Sequence, residues 1–267
     1  MIGIRQMLEY FSARRLRIRA RQIAALAGDT LATVYPRRIE REEEKRRVLL
    51  LTPHADDETF GAGGMLLRHH DAGADMSVLL VSNNVASIDD SGIGRTEKQR
   101  IREEEFRSAM EHVPRASLTL LGIGDDGFSE NSAPPAELLR ACVEFQPDVL
   151  YLPSLFDNHR DHRVLNYWLL ELLRTVPHFS PLIRGYEVWS PLPATAVADI
   201  SEQLERKRGM MRCYASQLQA IDYEHHVLGL NAYRSMTFGG RNSRYAEAFL
   251  ELPSNVYLAL GSSLFHT

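Results

Sequence analysis

Four ionisable residues, His54, Asp56, Asp57 and Glu58, fall within five positions directly behind the apolar run Leu49-Leu50-Leu51. Packing an imidazole and three carboxylates against a buried strand costs several kcal/mol per unpaired charge, so a cation or bound protons must compensate them. A second cluster, Asp157-Asn158-His159-Arg160-Asp161-His162, follows the apolar run Val149-Leu150-Tyr151-Leu152-Pro153. A catalytic zinc keeps about three protein ligands and one open position, and His54, Asp57 and His162 supply that number. A ferrous ion accepts the same two-His, one-carboxylate set. His54 and Asp57 stand three positions apart, so a helical turn after the strand aims both at one cation and leaves Asp56 free of it. A carboxylate beside a metal-acidified water can take its proton, which makes Asp56 the candidate general base. His159, one turn before His162, could protonate a leaving amine or stabilise an oxyanion, and Asp161 is available to orient an imidazole. The chemistry indicated is metal-assisted hydrolysis of an unactivated bond.

The elements that must position these groups alternate. The pattern predicts strands at 47–51, 76–81, 117–121, 148–152 and 183–189, and helices at 61–71, 97–112, 134–145 and 163–175. Helical crossovers imply parallel pairing and a sheet covered on both faces. The expected fold is therefore α/β, a Rossmann-like doubly wound and mostly parallel sheet with helices on both faces. Ligands in such sheets bind beyond the carboxyl ends of the strands, where both clusters lie. From Ser201 the chain reads as mostly helical, over 202–218 and again near 244–250, so residues 46–267 are expected to form one catalytic domain with a helical cap from about 200.

With 267 residues and 44% hydrophobic content, the chain can bury one sizeable core. Cys142 and Cys213 lack metal-site spacing and read as reduced core thiols. The net charge of −4 argues against nucleic acid as a partner. Residues 1–40 are locally basic, carrying Arg5, Arg14, Arg15, Arg17, Arg19, Arg21, Arg37 and Arg38 against Glu9, Asp29 and Glu40. Ile4, Met7, Leu8 and Phe11 give that segment a helical apolar stripe. Residues 1–45 are expected to be a basic amphipathic helical extension, packed on protein or lying peripherally on an anionic membrane. No apolar run of about 18 residues and no signal peptide is seen, so a cytoplasmic protein is expected, with the inner membrane face as its one lipid contact.

The pair His54-Ala55-Asp56-Asp57-Glu58 and His159-Arg160-Asp161-His162 resembles the signature of the PIG-L/LmbE-like zinc-dependent N-deacetylases. Lesser matches are Gly61-Ala62-Gly63-Gly64, Arg102-Glu103-Glu104-Glu105 and Gly124-Asp125-Asp126-Gly127. The family usually has Pro where this chain has Ala55, a change in loop stiffness and not in a ligand. The resemblance covers about residues 47–175. It implies zinc on His54, Asp57 and His162, Asp56 as base, His159 at the tetrahedral intermediate and Asp161 orienting an imidazole. The implied reaction removes acetyl from an N-acetylglucosaminyl conjugate, a small molecule or a lipid-linked amino sugar. An amidase for another acyl group and an inactive sugar- or lipid-binding protein are the competing expectations, and a homo-oligomer is compatible with all three.

Substrate contacts are less sharply marked. Ser82-Asn83-Asn84 stands where relatives carry a Thr-Asp-Gly type of sequence, so Asn83 and Asn84 are candidates, as is Arg241 in the Arg-aromatic cluster from Tyr233 to Tyr245. Asn83 and Asn84 equally suit loop capping. Arg102 and Glu105 read as a structural i,i+3 pair.

Overall fold

The computed structural model describes residues 36–40, 46–88, 92–124, 127–129, 132–238 and 242–265. Most of the basic extension, and Arg241, lie outside them. Eight strands form one sheet: β1 (Arg37–Arg38), β2 (Arg47–Thr52), β3 (Asp75–Ser82), β4 (Ser117–Ile123), β5 (Val149–Pro153), β6 (Leu182–Tyr186), β7 (Ala196–Asp199) and β8 (Ala246–Pro253). Their order is β1-β7-β8-β6-β5-β2-β3-β4, parallel except where β8 pairs antiparallel with β6 and β7.

Alternate residues of the strands feed two cores. Val48, Leu50, Val78 and Leu80 face one side, where α1 (Asp57–Asp71), α2 (Arg95–Met110), α5 (Leu204–Arg212) and α7 (Tyr223–Arg234) pack. Leu49, Leu51, Leu79 and Val81 face the other, under α3 (Ala136–Phe145), α4 (Arg160–Thr175) and α8 (Ser254–Phe265). A short α6 (Ala215–Leu218) links α5 to α7. Strands buried on both faces read as continuous apolar runs, which is why the central strands were visible in the sequence. Both cysteines are free, Cys142 in the core and Cys213 half-buried.

The sheet crosses over between β2 and β5, which pair directly while their following strands run to opposite sides. This is the switch point at which open α/β sheets bind ligands. Helix α1 starts at Asp57 and α4 at Arg160, earlier than the pattern predicted, because acidic first turns suit the helix dipole despite the glycines that follow. The close approach of α1 to the sheet explains two of those glycines. A Cβ on Gly61 would lie 2.2 Å from the Tyr186 ring, and one on Gly64 would lie 2.6 Å from Ile200.

The C-terminal third departs from expectation. The helix expected near 244–250 does not form; residues 246–250 belong to β8, an interior strand of the sheet, and β7 is a further strand the pattern did not show. Ala, Glu and Leu favour helix locally, and tertiary pairing overrides that preference. The strand tolerates its acids because they are matched: Glu247 meets Lys207 at 2.7 Å with both side chains fully buried, and Glu251 meets Arg184 at 2.8 Å.

Candidate active site

His54 and Asp57 bracket the turn that leaves β2, and His162 lies in the first turn of α4 behind β5, so neighbouring strand ends bring the two clusters together. The Asp57 Oδ2 atom sits 3.1 Å from His54 Nδ1 and 3.0 Å from His162 Nε2. The other ring nitrogens meet carboxylates too. Asp161 Oδ2 lies 3.1 Å from His54 Nε2, and Asp157 Oδ1 lies 3.2 Å from His162 Nδ1. A carboxylate behind each imidazole is the arrangement that fixes ligand tautomers in metal sites.

The residues present fit a cation. Both ring nitrogens of His162 are buried without a partner in hydrogen-bond geometry, a costly state for bare imidazole that a metal at Nε2 would relieve. The three imidazoles of His54, His159 and His162 also bring one nitrogen each within 4.8 Å of one another. Asp57 is nearer to His54 and His162 than that, and His159 is otherwise engaged: its Nδ1 accepts the Asp161 N–H at 3.2 Å, capping α4. The set His54, Asp57 and His162 is therefore the better match to a two-His, one-carboxylate centre.

Electrostatics agree. Burial lowers the His54 pKa, but hydrogen bonds to Asp161 and Asp57 and the charges of Asp57 and Asp56 more than offset it, lifting it to about 10. His162 behaves alike, with burial outweighed by Asp57 and Asp157, and reaches about 9. Burial would raise Asp57, yet the two imidazoles hold it well below the usual carboxylate range. Without a cation, two protons thus do its work. Burial pushes Asp56 up to about 7 against the pull of Arg102, with Asp57 and Glu58 adding to the rise. His159 is held below its ordinary value by burial and by the neighbouring His162 and His54.

Asp56 occupies an unusual backbone position, φ 130° and ψ −33°, rarely adopted by a residue with a side chain. Its neighbours fix it there. The Asp56 N–H donates to Glu58 Oε2 at 3.1 Å, Arg102 donates to Asp56 Oδ2 at 2.8 Å and also to the Ala55 carbonyl, and the Ala55 N–H donates to Asn84 Oδ1 at 2.8 Å. Glu58 in turn accepts from Tyr214 and Thr59. The expected Arg102–Glu105 pair forms at 2.6 Å, so Arg102, held by its own helix α2, ties that helix to Asp56.

These groups open on a cavity of about 240 Å³ that is walled by Phe60, Val188, Trp189 and Tyr223. Phe60 and Tyr223 stack at 4.9 Å, and Trp189 stacks on His159 at 6.3 Å. Asp157 joins this wall to His162, since it accepts the Trp189 N–H at 3.0 Å as well as facing the His162 Nδ1. Residues 49–173 match the family model described as PIG-L: GlcNAc-PI de-N-acetylase. Residues 49–173 are thus similar to the PIG-L family.

A diacetylchitobiose deacetylase from Thermococcus kodakarensis is 25% identical over 190 residues, 64% of this chain and 70% of that protein. Among solved structures, the N,N'-diacetylchitobiose deacetylase from Pyrococcus horikoshii aligns with TM-score 0.69 at 20% identity, covering 88% of this chain and 92% of its own. The 4-carboxy-2-hydroxymuconate hydratase GalB from Pseudomonas putida aligns with TM-score 0.64 at 20% identity over 77% of this chain and 95% of its own. A similar fold therefore also frames a hydratase, and function has to be read from the site.

Of the candidate substrate contacts, Asn84 borders the cavity but spends its amide on Ala55 and on the Ser82 carbonyl. Asn83 accepts from the Val85 N–H and is absent from the cavity lining. Arg234 holds Glu187 and the Leu192 carbonyl, which bridges α7 to the loop after β6. Sequence reasoning gave no role to Asp157, although its place ahead of two histidines was a usable signal. It also missed Trp189, Tyr223 and Phe60, which come from three separate segments with no local pattern. Among the described residues, no helix is long and apolar enough to cross a membrane.

Proposed function

We propose that this chain is a metal-dependent hydrolase that removes the N-acetyl group from an amino-sugar conjugate, giving acetate and a free amine. The observation that carries it is the meeting of Asp57 Oδ2 with His54 Nδ1 at 3.1 Å and with the buried His162 Nε2 at 3.0 Å, beside the cavity-lining carboxylate of Asp56. Zinc or ferrous iron held by His54, Asp57 and His162 would supply Lewis acidity that polarises the amide carbonyl and acidifies water. Asp56 takes the proton from the attacking water and hands it to the nitrogen as the C–N bond breaks, a task suited to a pKa near the working pH. His159 accepts at Nδ1, so its proton lies on Nε2, from which it donates a hydrogen bond to the carbonyl oxygen as negative charge builds there. That geometry favours oxyanion stabilisation over protonation of the amine by His159. Asp161 and Asp157 hold the ligand imidazoles, and the aromatic wall offers faces for a sugar ring.

The similarity to chitobiose deacetylases supports an N-acetylated sugar as substrate. A lipid-linked form of it rests on the basic segment 1–40. The test is amine release from N-acetylglucosamine, its methyl glycoside and diacetylchitobiose by zinc-loaded protein. Amine from at least one of them is expected, and none from any, with zinc bound, would refute the reading.

A further inference from the structure

Behind the aromatic wall of the catalytic cavity lies a second cavity of about 190 Å³. Phe60, Val188, Trp189 and Tyr223 line both. The far side is apolar, made by Val227 and Leu230 of α7 and by Ala248 of β8, with the backbone of Gly61 completing it. Gly61 has no room for a side chain against Tyr186, which keeps that surface flat.

The two buried polar side chains on its lining are already engaged. Glu187 accepts the Leu192 N–H at 2.8 Å and pairs with Arg234, while Asn231 Oδ1 accepts from Lys207 at 2.9 Å. Apart from the exposed His226, the lining offers few free polar partners to an occupant rich in hydroxyls or phosphate, so the cavity favours an apolar group over a second sugar. Apolar edges stay open to water at its mouth, where Trp189 is 52% exposed and Ile221 is 38% exposed. An apolar ligand group would cover them.

We propose that this annex binds an apolar arm, an alkyl chain or aryl ring, carried by the substrate next to the amide that is cleaved. The proposal rests on the deacetylase reading above. The arm has two chemical sources, the aglycone at the sugar's anomeric oxygen or a longer acyl group on its nitrogen. Two substrate series separate them on the full zinc-loaded chain: methyl against hexyl N-acetylglucosaminides, and N-acetyl against N-hexanoyl methyl glucosaminides.

In one series the compound with the arm should show kcat/KM higher by about tenfold or more, since each buried methylene contributes favourably. Leu230→Phe should shrink that ratio to within about threefold, a comparison within one protein that cancels any general loss of activity. Hexyl glucoside, which has no amide, should shift the emission of wild-type protein, and Trp189→Phe should abolish the shift. Equal rates within both series would overturn the proposal. If no compound in either series releases amine, fluorescence decides: a shift that Trp189→Phe removes would sink the deacetylase reading and keep the apolar subsite, and no shift would sink both.

Discussion

Asp56 is bent to φ 130° and pinned between Arg102 and Glu58, so its carboxylate reaches the cavity while Asp57 turns toward the imidazoles. That division of labour predicts that Asp56→Asn lowers kcat by about 10²–10⁴-fold, the usual worth of a positioned base, with zinc content unchanged. Rate and metal content measured on one preparation check it. The imidazoles carry a second prediction. His54 and His162, raised from 6.5 to about 10 and about 9, stabilise metal-free protein fully below about pH 6.5 and lose that contribution as pH rises through 9 to 10. Asp56, raised from 3.8 to about 7, acts in the same direction between those two values. A cation displaces the imidazole protons, so zinc should raise the melting temperature of chelator-treated protein more at about pH 8 than at about pH 6. Melting curves at both pH values give the answer, and an equal gain would contradict it. At this scale the ionisable groups were legible, because four of them behind a buried strand demand compensation. Asn84 was not, since nothing local reveals that its amide is already used by Ala55.

Helix α1 carries Asp57 and Phe60, and its placement depends on a charge buried two elements away. Lys207 of α5 donates to the Phe60 carbonyl and to Glu247 of β8, and Glu247 accepts from the N–H groups of Gly64 and Met65. One ion pair thus joins α1, α5 and β8 below the site. Lys207→Met should destabilise the fold by about 3–5 kcal/mol, because it leaves Glu247 buried and unpaired. Denaturant titration would show it, and a loss below about 1 kcal/mol would mean the pair is dispensable. The same interaction explains what the sequence concealed. The parallel strands β2, β3 and β5 announce themselves as apolar runs, whereas Ala246–Pro253 is written in helix-favouring residues and becomes a strand through partners on α5 and β6.

Across the whole molecule, the site follows from topology. β2 and β5 are neighbours at the point where strand order reverses, so two clusters about a hundred residues apart in sequence open on one cavity. The apolar annex sits beside it because α7 and the loop after β6 close over the same edge. The order of strands was not written in any local pattern, but the alternation of strand and helix placed both clusters at carboxyl ends. Everything proposed then turns on whether water, activated at Asp56, attacks an N-acetyl carbonyl. The most direct measurement is mass analysis of acetate released from an N-acetylglucosaminide by zinc-loaded protein in ¹⁸O-labelled water. One labelled oxygen per acetate, formed by wild type and not by Asp56→Asn, is the predicted result. Acetate formed equally by both proteins, or none formed by zinc-loaded wild type, would contradict it.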